Sequence, residues 1–144
     1  MGFREVHAYW RVAAVDFNEI DHKNLMDLHH HGGFSRNPLT GESPTEGYMV
    51  GIHSRNGGVA HSVSLGEFSP QYLATHRAAA RHLLTQPGYY QGGWSDHNHV
   101  HLDVSKNVLD HDEAIREGHN NDQIAIWDVK NNREIMTHGK GEIA

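Results

Sequence analysis

The sequence predicts an α+β fold: a single domain in which a mainly antiparallel sheet of hairpins is packed by two main helices. Three observations carry this. Val100, Leu102 and Val104 alternate with His99, His101 and Asp103, the two-residue period of a strand with one buried face. Asn56-Gly57 lies between two runs rich in apolar residues, which is hairpin chemistry. Ser69-Pro70, and Asp110 with Glu113 three residues on, are helix-start signals. A chain of 144 residues fits one domain and is long enough to bury a core without staples. We assign 1–137 to that domain, with a long loop over 33–47, and 138–144 to a flexible C-terminal tail.

The elements follow in order. Val6, Ala8, Trp10, Val12 and Ala14 share one face of a strand over 6–15, and the same stretch also tolerates a helix. Residues 16–24 are polar and turn-like, and a short helix follows to about His31. His29-His30-His31 before Gly32-Gly33 is how a helix ends, with imidazoles in the last turn and Gly beyond. Residues 33–47 hold Asn37-Pro38 and Gly41, turn chemistry in a loop long enough to be functional. A two-residue turn at Asn56-Gly57 pairs Ile52 with His61, Val50 with Val63 and Tyr48 with Leu65, which sets a hydrogen-bonded, partly buried His61 near the inner face at the hairpin's end. A helix from Ser69 to Thr85 carries Leu73, Ala80, Leu83 and Leu84 on its apolar stripe, with His76 between them. His76, Arg77, Arg81 and His82 read as a solvated basic face. A turn at Asp96-His97-Asn98 joins Trp94 to the His99–Ser105 strand. The Asp110 cap opens a helix that frays near Gly118. Residues 123–129 are apolar on both faces and read as a covered strand. A turn at 130–133 returns a short strand over 134–137.

Composition narrows the function classes. A formal charge of −6, with 12 dispersed Lys and Arg residues, argues against direct nucleic-acid binding, which needs clustered cations. Zero Cys removes disulfides, thiol catalysis and cysteine zinc sites, and fits an intracellular setting. No apolar run approaches the ~20 residues of a membrane span. Residues 1–15 lack the apolar core of a secretory leader, so none is expected.

The candidate chemistry is sparse. Two imidazoles at i and i+2, His99 and His101, sit on one strand face, where zinc would accept them. A third ligand, His97 or Asp103 bending in or His61 from another strand, would have to complete the set. The ordinary reading of that face is the solvated side of a half-buried strand, and with 15 His in the chain proximity by chance is expected. No cofactor is therefore expected, zinc being the one the pattern could hold. There is no P-loop, dinucleotide fingerprint, nucleophile elbow or His-Glu-x-x-His helix. The partner-binding candidates are Arg36, Asn37, Leu39 and Glu42 of the loop, with Asp96, Asp112 and Glu113. The last three belong to an acidic stretch in which Asp96, Asp103, Asp110, Asp112, Glu113, Glu117 and Asp122 face only Lys106 and Arg116.

Trp94, the Val100–Ser105 run, the Asp110–Ala114 cap, Gln123–Asp128, and Asn37–Glu42 followed by Gly47–Val50 resemble a group of small proteins from actinobacteria and their phages. The resemblance spans roughly residues 33–135. It implies a shared fold, a phage or mobile-element origin and the cytoplasm of a bacterial host cell, and it supplies no activity. Three functions follow as expectations. The first is a non-enzymatic accessory protein that binds another protein. The second is a zinc-dependent hydrolase using His99 and His101. The third is an acidic decoy of a nucleic-acid-binding host protein.

Overall fold

The computed structural model describes residues 17–141. The strand expected over 6–15 therefore lies outside the described residues. Four helices, α1 (Phe17–His31), α2 (Pro70–Ala79), α3 (Arg81–Leu84) and α4 (His111–Asn120), pack on one face of a seven-stranded antiparallel sheet. Its strands are β1 (Gly33–Arg36), β2 (Tyr48–Gly51), β3 (His61–Ser64), β4 (Tyr89–Asp96), β5 (His99–Val108), β6 (Ala125–Asp128) and β7 (Arg133–Met136). The sheet order is β1-β4-β5-β2-β6-β7, with β3 also paired to β5. The expected α+β architecture with a mainly antiparallel sheet is what forms.

The ten-residue β5 is the spine. It pairs with β4 along eight positions, from Tyr89↔Lys106 to Asp96↔His99. His97 and Asn98 both have positive φ, as a two-residue type I′ turn requires. Val100, Leu102 and Val104 are fully buried, so the alternation in the sequence assigns this strand's faces correctly. Leu102 and Val100 pack with Leu28, Phe34 and Leu73. Val104 packs with Ala80, Leu83 and Leu84, and Val108 with Val50, Ala114 and Ile126. Each of the four described helices thus reaches the same face of the sheet.

Several elements differ from expectation. Asn56-Gly57 does not close a hairpin. β2 and β3 both pair with β5, so they run in the same direction, one beyond the other. Between them Ser54–Asn56 forms a 3₁₀ turn, and Gly57, at φ 94°, ends it. The same left-handed preference that favours a hairpin here caps a helical turn instead. The crossover is tight: a Cβ at Gly58 would overlap the Ile52 carbonyl.

α1 begins at Phe17, inside the stretch expected as a turn, because Ile20, Asn24 and Leu28 recur every four residues and are all buried. The loop expected over 33–47 gives up Gly33–Arg36 to β1, which pairs with β4. The helix expected over 69–85 breaks at Ala80 (φ −97°, ψ 12°) into α2 and α3. α4 continues past Gly118, where the missing side chain lets it lie against Ile126 and Thr137. The Asp110 cap is present, its carboxylate accepting from the Glu113 N–H at 2.9 Å. Residues 138–141 are not a loose tail: backbone N–H groups of His138, Gly139 and Gly141 donate to the carbonyls of Ile124, Gln123 and Asp122. No helix among the described residues is long and apolar enough to cross a membrane.

Candidate functional site

With the helices packed on one side, the other face of the sheet is left largely open, and α1 reaches its groove only through Asp27 and His31. β5 lays His99, His101, Asp103, Ser105 and Asn107 along it. Register adds Trp94 beside His101 and Gly92 beside Asp103 on β4. It adds Gly51 beside Ser105 and Met49 beside Asn107 on β2, then Trp127 beside Met49 on β6 and Glu134 beside Trp127 on β7. A groove of about 870 Å³ runs over this face, lined among others by Trp94, Asp103, Ser105, Gln123, Trp127 and Met136. Trp94, Trp127, Met136 and Ile124 are 44%, 38%, 50% and 51% exposed. These large apolar side chains are exposed along one concave face rather than scattered over the surface.

Two glycines shape the floor. The carboxylate of Asp103 lies over Gly92, where a Cβ would overlap its Oδ1. The amide of Gln123 lies over Gly51, 2.6 Å from where a Cβ would be. Glycine inside a strand often marks such close approach. Asp103 is shielded in the groove, and the loss of hydration pushes its carboxyl up to about 6. No described residue donates a hydrogen bond to it. A carboxyl of that acidity on a cleft floor is the kind of group found at functional sites.

Near the β4–β5 turn the open face is a stack of rings. Trp94 lies over His101 with centroids 5.2 Å apart, and His101 over His99 at 6.3 Å. Ser62 Oγ is 2.7 Å from His101 Nδ1, the cross-strand pair expected from their register. The His99 and His101 rings lie nearly parallel, their planes 22° apart. His61 shares the face of Leu102, on the helix side, and meets His76 edge-on at 5.1 Å. It does not join His99 and His101. Among the described residues no three His, Asp or Glu side chains are gathered as metal ligands. Asp103 makes no hydrogen bond to His101, so Ser62, His101 and Asp103 are not joined as a triad.

The surface expected for a partner is divided. Arg36 is buried, its guanidinium on Asp27 and Asn24 at 2.9 Å. Asn37 is buried as well, its Oδ1 accepting from the N–H groups of Leu39 and Thr40 and its Nδ2 donating to the Tyr89 carbonyl. Both residues hold the loop down rather than present it. Leu39 is half-buried, while Glu42, Asp96, Asp112 and Glu113 are exposed. Asp96 lies before β5, and Asp112 and Glu113 after it. Ten residues of strand put roughly 30 Å between them, so they do not form one patch.

The basic face expected on the second helix also dissolves. His76 is fully buried, its Nε2 2.8 Å from the Val59 carbonyl and its Nδ1 3.0 Å from Gln91 Nε2. Burial pushes this imidazole down to about 4, against the opposing pull of the Val59 carbonyl. Arg77 is buried against Asp21, at 2.7 and 3.0 Å. Sequence reasoning missed Trp127 and Gln123 as parts of a surface because residues 123–129 looked covered on both faces, and it missed Met49 and Met136 because their strands come beside Trp127 only through pairing. The signal that could have found the groove is a pair of strand glycines, Gly92 and Gly51, beside polar positions of β5.

No protein-family model matches the chain, and no curated protein or solved structure matches it either.

Proposed function

We propose that the protein acts without catalysis, by binding another protein, and that it does so through the open face of its sheet. The observation that supports this most is the groove between Trp94 and Trp127, with large apolar side chains exposed along it. The cost of leaving such side chains in water is recovered when a partner covers them, at ~25 cal/mol per Å². Aromatic anchors are also the residues most often dominant in interfaces. Taken with the resemblance to small actinobacterial and phage proteins, this is the reading of an accessory protein of a phage or mobile element acting inside a bacterial host.

The test is selection from a displayed library of random twelve-residue peptides on the immobilised protein. We expect binders whose affinity falls roughly tenfold or more with Trp94→Ala or Trp127→Ala. Asp112→Asn and Glu113→Gln should leave it unchanged. Recovery of no binder, or of binders indifferent to both tryptophans, would overturn the proposal.

A further inference from the structure

Resting on that reading of the open face, we propose that the partner inserts a lysine or arginine side chain over Asp103, with apolar residues of the same segment on either side. The charge of the groove points this way. Its described lining holds Asp27, Asp103 and Glu134, one imidazole, His31, and neither Lys nor Arg. Asp27 is already paired with Arg36, which leaves Asp103, at the floor, and Glu134, on the rim. Asp103 receives no hydrogen bond from the described residues, and its carboxylate is held in place by the space above Gly92.

An ionised carboxylate in a shielded site is costly unless paired. A cation arriving with the partner would supply the missing pair. Trp94 stands diagonally across from Asp103, one strand over and two pairs along the ladder, on the same face. One side of its ring is against His101, and the side chain is 44% exposed. A cation beside an indole face gains further attraction. The apolar flanks match Met49, Ile124, Trp127 and Met136, which line the remainder of the groove.

Two displayed libraries decide it, one with all residues and one with Lys and Arg excluded, each selected on the full-length protein and on Asp103→Asn. We expect groove binders, identified by their loss with Trp94→Ala, from the full library alone, and expect them to carry Lys or Arg. Changing that residue to Gln in the synthesised peptide should weaken binding about tenfold or more. Asp103→Asn should weaken the parent peptide similarly and remove the discrimination. Groove binders of equal affinity from the Lys- and Arg-free library would overturn this inference and leave protein binding standing. Sedimentation showing a dimer that Trp94→Ala dissociates would give the face to a second copy and overturn it as well. An absence of binders from both libraries would remove both proposals together.

Discussion

Asp103 and His76 titrate in opposite senses within one small fold. His76 keeps its folded-state pKa near 4, well below the ordinary 6.5. The unfolded chain therefore takes up a proton before the folded one does, and stability falls as pH drops from about 6.5 to 4, by roughly 3 kcal/mol at most. Asp103 runs the other way. Its folded carboxyl protonates near 6, above the ordinary 3.8, so the native state gains stability as pH falls across that interval and is penalised above it. The wild-type curve should thus be shallow between pH 6 and 4. Asp103→Asn should raise the urea midpoint at pH 8 and should steepen the acid loss by leaving His76 unopposed. An Asp103→Asn midpoint at pH 8 equal to or below wild type would contradict the shielded carboxyl. The sequence placed Asp103 on the polar side of β5, but its enclosure depends on Gly92, a neighbour brought there by β4. It left His76 to solvent because of its polarity. The spacing Leu73, His76, Ala80, Leu83 follows the buried stripe of a helix, and that spacing decides.

At the scale of elements, helix caps and alternation were legible because they are local. Asp110, the end of α1 at His31 and the faces of β5 all follow from residues within one turn or one strand. Pairing is not local. Asn56-Gly57 satisfies the preferences of a hairpin, yet β5 is long enough to take both β2 and β3 as partners, and the turn becomes a crossover. The two glycines distinguish these readings. In a two-residue hairpin Gly57 would be the sensitive position. Here Gly57→Ala should cost about 1 kcal/mol, the strain of a left-handed backbone, whereas Gly58→Ala must force the chain off the Ile52 carbonyl and should cost several times more. Equal or inverted losses in thermal or urea unfolding would return the segment to a hairpin. Within the spine, Leu102→Ala should cost about 2–5 kcal/mol, as the side chain is 1% exposed between two helices and β1.

For the whole molecule, the asymmetry of the layers carries the argument. Four described helices share one face of the sheet, and the opposite face carries the groove. Alternation and helix-start signals indicated the α+β class, but the working surface was sought in charge. The acidic residues are in fact split between the two ends of β5, and Arg36 and Asn37 are spent on fixing the loop to α1 and β4. The groove was less legible because it is assembled from six strands. Each of these contributes two or three residues, none of them unusual in its own segment. The measurement that tests the central claim most directly is amide chemical-shift mapping of the ¹⁵N-labelled protein with a peptide recovered from the displayed library. The account predicts shifts concentrated at Gly92, Trp94, Asp103, Ser105, Gly51 and Trp127, across one side of the sheet. Shifts gathered instead on α2 and α4, or at Asp96, Asp112 and Glu113, would contradict it.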